Sequence, residues 1–272
     1  MTKETHIAKT VLQWGKRTYI MGILNVTPDS FSDGGQYLTV DKAVAQALRM
    51  ASEGADIIDI GAESTKPGYA PISTEEELDR LLPVIQRLRA ETNLVLSVDT
   101  YKVRTAELAL ASGAHMINDI WGLKREAGMA RLVAASKAPV CIMHNRDNTN
   151  YHNLMEDILA DLSESIAIAL QAGVQEEQII LDPGIGFAKT VSQNLEVMKH
   201  LERLKSLGYP VLLGASRKSF IGKSLGLDVQ DRLEGTLAST AIGISKGVDI
   251  IRVHDVLQNV RVAKMTDLLV RE

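Results

Sequence analysis

The sequence predicts a single-domain α/β protein, a (β/α)8 TIM barrel spanning residues 1–272. Three observations predict it. The 272 residues match the roughly 250 that such a barrel needs. Eight short runs rich in Ile and Val alternate along the chain with longer amphipathic stretches. Glycine recurs just past the helical stretches, at Gly54, Gly113, Gly173, Gly208 and Gly247, where a left-handed residue stops a helix. A doubly wound open sheet would show a Gly-rich turn after its first strand. Here the first run leads into Asn25-Val26-Thr27-Pro28-Asp29-Ser30, so the barrel is preferred.

Residues 1–18 are polar and of mixed charge and read as a short lead-in without a secretory h-region. Strands are expected at Ile20–Leu24, Ile57–Ile60, Val95–Val98, Met116–Ile117, Val140–Met143, Ile179–Leu181, Val211–Leu213 and Ile250–Val253. Their near-continuous apolar character suits parallel strands covered on both faces. Helices are expected over Val40–Glu53, Glu75–Glu91, Lys102–Ser112, Met129–Ser136, Leu154–Ala172, Asn194–Leu207, Arg232–Lys246 and Val256–Val270. The second opens on Ser73 or Thr74 as N-cap, with Glu75, Glu76 and Glu77 in its first turn.

Composition narrows the function classes. A net charge of −4 lacks the basic field of a nucleic-acid binder. No apolar run approaches the ~18 residues of a membrane helix. The one cysteine, Cys141, rules out an intrachain disulfide and fits a reduced, cytoplasmic setting.

Polar residues collect at the carboxyl ends of the predicted strands: Asn25, Asp59, Glu63-Ser64-Thr65, Asp99-Thr100, Asn118-Asp119, His144, Asp182, Ser216-Arg217-Lys218, and Arg252 with His254. In a barrel these ends converge on one mouth, where active sites form. Asp99, Asn118 and Asp182 offer acceptors and one amide donor, which suits a flat nitrogen heterocycle. Lys218, Arg252 and His254 follow the seventh and eighth strands, a common anion site in barrels. The loops Val26–Thr39 and Gly61–Thr74 are long, rich in Gly and Pro, and are candidate lids.

Other motifs fail on spacing. Gly222-Lys223-Ser224 ends like a P-loop, but Arg217 stands where the first glycine belongs. His144, His152 and His200 have no zinc-site spacing. Cys141 lies mid-strand and reads as core packing rather than as a nucleophile.

The blocks Met21–Gly35 (with Asn-Val-Thr-Pro-Asp-Ser-Phe-Ser-Asp-Gly-Gly) and Ile58–Gly68 (with Glu-Ser-Thr-Lys-Pro-Gly) resemble the two signatures of the dihydropteroate synthases. Ser97–Thr100, Ile117–Gly122, Met143–Arg146, Leu181–Phe187, Ser216–Gly222 and Arg252–Asp255 resemble further blocks of that family, in the family's order. The likeness runs from about Ile20 to the C-terminus and is to the bacterial single-function form. It implies a pterin-binding barrel that joins 6-hydroxymethyl-7,8-dihydropterin diphosphate to 4-aminobenzoate and releases diphosphate, a sulfonamide target, a homodimer, and Mg²⁺ as cofactor. It implies that Asn25 binds Mg²⁺ with the substrate diphosphate and that Arg252 and His254 hold that diphosphate. Asp99, Asn118, Asp182 and Lys218 would grip the pterin, with Thr65 near the diphosphate end. Met143 would join the substrate-binding residues, and Phe187 and Ser219 would border the aminobenzoate pocket. Asp33 and Lys66 on the two loops would be catalytic together with Asn25, Lys218, Arg252 and His254.

One position departs from the family pattern: Lys66 stands where the second signature usually has arginine. Lysine keeps the charge and loses the planar fork, so looser loop closure is expected. Two rivals share part of the pattern. A methyltetrahydrofolate–corrinoid methyltransferase would share the Asp and Asn grip without needing the cations. A non-catalytic pterin-binding paralogue would not need every catalytic position matched.

Overall fold

The computed structural model describes residues 4–27, 36–63 and 71–271, and the side chains of all of these except 36–39. Asp33, Thr65 and Lys66, and the central parts of both candidate lids, lie outside the described residues.

The chain opens with an antiparallel hairpin, β1 (Glu4–Ile7) and β2 (Thr10–Gln13). The barrel then alternates strand and helix: β3 (Tyr19–Asn25), α1 (Gln36–Ser52), β4 (Ile57–Gly61), α2 (Thr74–Glu91), β5 (Val95–Asp99), α3 (Val103–Ala111), β6 (Met116–Asp119), α4 (Met129–Ser136), β7 (Val140–Met143), α5 (Leu154–Gln171) and β8 (Ile179–Asp182). α6 (Val191–Lys199), β9 (Leu212–Leu213), α7 (Ser219–Leu225), α8 (Leu233–Ser245), β10 (Ile250–Val253) and α9 (Val256–Val270) complete it. The eight strands β3 to β10 are hydrogen-bonded in parallel, with β10 beside β3 and a Leu181–Val211 bridge joining β8 to the start of β9. The sheet is therefore closed, and the TIM barrel expected from the sequence is the fold.

Closure explains the sequence pattern. Both faces of each strand are covered, so β4 is buried throughout. Side chains that alternate along the strands fall into two cores. Ile20, Leu24, Ile58, Ile60, Val98, Ile117 and Ile142 face the helices. Tyr19, Met21, Ile57, Val95, Met116, Cys141, Ile180, Leu212 and Ile250 face inward and fill the lower barrel. The five glycines expected as helix stops all have positive φ; Gly113 at +109° and Gly173 at +96° close α3 and α5. Ser73 caps α2, its Oγ accepting from Glu76 N at 3.1 Å.

Three expectations need correcting. The lead-in is the hairpin, which plugs the barrel floor: Ile7, Leu12 and Trp14 complete the inner core. Trp14 donates to Thr5 Oγ1 (3.0 Å), and its ring meets Tyr19 edge-on at 5.6 Å. An inward-facing apolar floor needs such a cover, which a reading of strand–helix alternation does not see. The helix expected over Asn194–Leu207 begins three residues earlier at Val191, where Thr190 and Gln193 form a capping box. It breaks at His200 (φ −123°) and continues as a 3₁₀ run over Leu201–Leu207. Finally, α7 is an extra short helix between β9 and α8, starting one residue after Lys218.

Candidate active site

Strand parity decides which polar side chains enter the barrel. Positions two or four residues beyond an inward apolar residue share its face. Counted from Met21, Ile57, Val95, Met116, Cys141, Ile180 and Ile250, these are Asn25, Asp59, Ser97, Asp99, Asn118, Met143, Asp182, Arg252 and His254. Asp119 and His144 have the opposite parity. Asp119 turns back on its own loop and accepts from Trp121 N (2.8 Å) and Leu123 N (2.9 Å). His144 faces α5, where its Nε2 meets Asp161 Oδ2 at 3.1 Å. Both therefore leave the mouth to which their strand ends had assigned them.

Arg252 is the hub of the inner set. Its Nε donates to Asp59 Oδ2 at 2.6 Å and its Nη2 to Asp99 Oδ2 at 2.8 Å. Asn118 Nδ2 donates to the same Asp59 oxygen at 3.0 Å. Asp59 is fully buried. Its place at a strand end is legible in the sequence; its part in this network is not. Its register partner Ser97 lies next to it, and Asp59 Oδ1 and Ser97 Oγ have no hydrogen-bond partner. Buried oxygens left this way call for a donor from a ligand or water. A heterocycle carrying N–H and amino groups supplies such donors.

Desolvation tunes the set. Burial, with Asp59 nearby, raises Asp99 to about 7 against the pull of Arg252 and Lys218. Asp182, 5% exposed, is raised first by burial, although its Oδ1 accepts from Gly184 N at 2.7 Å. Lys218 is lowered to about 8 by burial and by Arg252. The Lys218 Nζ sits 4.2 Å from the centre of the Phe187 ring, so these two expected residues meet. Ser219, the first residue of α7, is exposed beside them. Met143 is buried on the inner face. Cys141 is fully buried and its thiol is pushed well up, first by desolvation, which leaves it inert.

At the rim, Ser216 fixes His254. Its Oγ accepts from His254 N at 3.2 Å and lies 3.0 Å from Nδ1. The hydroxyl partners Nδ1 in either tautomer, and where it donates to Nδ1 the ring proton is on Nε2. The ring reaches solvent, yet desolvation and then Arg252 lower it to about 4. His254 is thus neutral near pH 7. Arg217 belongs to no anion set: its Nε and Nη2 both bind Asp255, at 2.8 and 2.7 Å.

Asn25 ends β3 exposed at the rim. Among the described residues no group of three or more His, Cys, Asp or Glu side chains could hold a metal ion. A single amide oxygen fits only an ion that takes its other ligands from phosphate and water, as Mg²⁺ does.

A buried network missed from the sequence braces the ends of the second loop. Lys102 Nζ donates to Glu63 Oε2 (2.7 Å) and to Ile72 O (2.8 Å), and pairs with Glu77 Oε2 at 3.0 Å. Tyr101 Oη donates to Glu63 Oε1 at 2.9 Å.

Fold and mouth together define a TIM-barrel enzyme whose mouth sets buried carboxylates and an amide among cations. The family model described as "Pterin binding enzyme" matches residues 21–254. The dihydropteroate synthase of Clostridium beijerinckii is 59% identical over 258 residues, covering 94% of this chain and 96% of that protein. A crystal structure of the Clostridium difficile dihydropteroate synthase in the presence of pteroic acid superposes with a TM-score of 0.94 at 53% identity, covering 95% of this chain and 99% of that one. The Xanthomonas albilineans dihydropteroate synthase with 4-aminobenzoic acid gives 0.94 at 41% identity, covering 99% and 98%. The chain belongs to the dihydropteroate synthase family of pterin-binding enzymes.

Proposed function

We propose that the chain joins 6-hydroxymethyl-7,8-dihydropterin diphosphate to 4-aminobenzoate. The C–O bond to diphosphate breaks, a C–N bond to the arylamine forms, and the amine's proton leaves with solvent or diphosphate. The observation that carries this is the division of the mouth: buried carboxylates and an amide below, donors and cations above. Asp99, Asn118 and Asp182 accept from and donate to the pterin edge, with Asp59 beneath them and Met143 alongside. A site left with unpaired buried oxygens rejects a ring lacking the matching donors by up to ~10⁴-fold. The C. difficile structure was obtained with pteroic acid, and the X. albilineans structure holds 4-aminobenzoic acid. These ligands support the two substrates proposed here.

His254 at the rim and Arg252 in the inner set stabilise the leaving group. His254 Nε2–H donates to a diphosphate oxygen. Arg252 uses Nε and one Nη2 proton on carboxylates, and its remaining donors serve the diphosphate with Thr65. Mg²⁺, held by Asn25 together with the diphosphate and water, would supply the remaining charge neutralisation. The conjugated ring spreads the positive charge left on carbon, so a dissociative step suits a site without a nucleophile. Lys218 grips the pterin with the carboxylates, and Phe187 and Ser219 border the aminobenzoate. Asp33 and Lys66 act from the loops.

The protein works in the cytoplasm as a homodimer in this reading. Met265, Leu268 and Leu269, at i, i+3 and i+4 on α9, are 55%, 81% and 71% exposed, and an apolar face of that kind supports a second copy as cover. No described helix is long and apolar enough to cross a membrane. The test is to incubate the protein with Mg²⁺, the dihydropterin diphosphate and 4-aminobenzoate. Dihydropteroate and free diphosphate are expected in equal amounts. Tight pterin binding without turnover overturns the proposal.

A further inference from the structure

The loop from Pro183 to Ala188 carries Phe187; Pro183 fixes one φ and Ile185 is buried in the core, but its two glycines leave the stretch around Phe187 without an anchor of its own. Gly184 (φ +69°), Gly186 (φ +84°) and Ala188 (φ +46°) are all left-handed, a conformation that costs Ala188 about 1 kcal/mol. Its backbone runs so close to the end of β7 that a Cβ on Gly184 would lie 2.0 Å from His144 O. Something must hold it there.

Lys189 does so from below. Its Nζ donates to Gly184 O (3.0 Å), to Phe187 O (3.1 Å) and to His144 Nδ1 (2.9 Å). Three acceptors use all three protons of an ammonium. Because Nδ1 accepts, the Nε2 proton of His144 goes to Asp161 Oδ2 at 3.1 Å, and Arg146 Nε holds the same oxygen at 2.6 Å. His144 is buried to 2% and lowered to about 3 by desolvation and then by Lys189, so the ring stays neutral. Two further bonds fix the loop's flanks. Tyr151 Oη donates to Ala188 O (2.9 Å), and Gly186 N donates to Asn194 Oδ1 (2.6 Å). None of these groups is among the expected substrate contacts.

We infer that Lys189, oriented by His144 and Asp161, is a positioning residue that fixes the Pro183–Ala188 loop so that Phe187 faces Lys218 and forms the aminobenzoate side of the site. The functional half of this rests on the proposed placement of aminobenzoate beside Phe187. The anchoring half rests on the geometry alone. Burial lowers Lys189 to about 7, with Arg146 and Lys218 working against its charge and Asp182 and Asp161 favouring it.

The test compares Lys189→Met, Tyr151→Phe and Phe187→Ala with the parent enzyme. Lys189→Met is expected to speed amide hydrogen exchange at 184–188 and to raise the aminobenzoate KM about tenfold. The Kd for dihydropterin diphosphate, measured without aminobenzoate, should change less than about twofold on the same scale. Tyr151→Phe, which removes one hydroxyl from a partly exposed residue, should show the same split at smaller size and serves if Lys189→Met does not fold. Unchanged exchange at 184–188 in these variants overturns the anchor. Equal loss of both substrates, or faster exchange with an unchanged aminobenzoate KM while Phe187→Ala raises it, overturns the positioning role. If Phe187→Ala itself leaves that KM unchanged, the aminobenzoate placement falls, and the positioning role falls with it. The exchange result then still decides whether Lys189 anchors the loop.

Discussion

Replacing Asp99 with asparagine should make the ligand-free protein more stable and a worse pterin binder. Asp99 is buried against Asp59 and is raised from 3.8 to about 7 even with Arg252 in contact. Each factor of ten in that equilibrium is about 1.4 kcal/mol, so holding Asp99 ionised costs the fold about 4 kcal/mol at pH 7 and above. Relaxation of Arg252 toward Asp59 absorbs part of this when the charge is removed. The expected gain for Asp99→Asn at pH 8 is therefore about 1–4 kcal/mol, a rise in Tm of several degrees and at most about 10 °C. The sign with pH follows from the direction of the shift. Above pH 7 both the folded and the unfolded Asp99 are ionised, and the full cost applies. At pH 5 the folded carboxyl is already protonated. Only the ionisation of the unfolded chain still counts against the fold, and the advantage of the variant shrinks below about 2 kcal/mol. Differential scanning calorimetry of both proteins at pH 5 and pH 8 reads this directly. Pterin affinity, by titration calorimetry, should fall about ten- to a hundredfold, because a charged acceptor becomes a neutral amide. A lower Tm for the variant at pH 8, or a stability difference independent of pH, would refute the reading of Asp99 as a strained, function-serving charge.

Three further predictions follow from separate parts of the structure. Asn25→Ala should weaken Mg²⁺-dependent binding of the pterin diphosphate about tenfold while sparing the free pterin; equal losses for the two ligands remove the metal role. Ser216→Ala should release the tautomer of His254 and lower kcat/KM about tenfold, with the acid limb of the pH–rate profile moved; an unmoved profile means that Ser216 only packs. Leu12→Ala, in the floor hairpin and fully buried, should cost about 2–5 kcal/mol of stability by denaturant titration with kcat unchanged, since it lies at the barrel end away from the mouth.

The fold was readable because its driving pattern is local. Parallel strands covered on both sides need unbroken Ile and Val runs, and helices that return to them need a stop, which five glycines provide. The break at His200 was not legible, because amphipathic spacing continues across it, and α7 was not, because seven residues are too few to show a helical period. The site was half legible. Strand-end polar residues can be found from sequence, but position at an end does not say which way a side chain points. Period-two counting from Met116 and Cys141 would have sent Asp119 and His144 outward; without the barrel there is no inner face to count from.

By itself the sequence determined the barrel, the family, and the inventory of acids, amides and cations at its mouth. Only the tertiary structure decided how they combine. Arg252 joins Asp59 and Asp99 across strands 193 and 153 residues away in the chain. Ser216 holds His254 from 38 residues away, Asp255 binds Arg217 at the same separation, and Lys189 reaches back 45 residues to His144. Hydrogen bonds and charges act through a few ångströms of space, and closing a barrel brings together strands that no spacing rule along the chain relates.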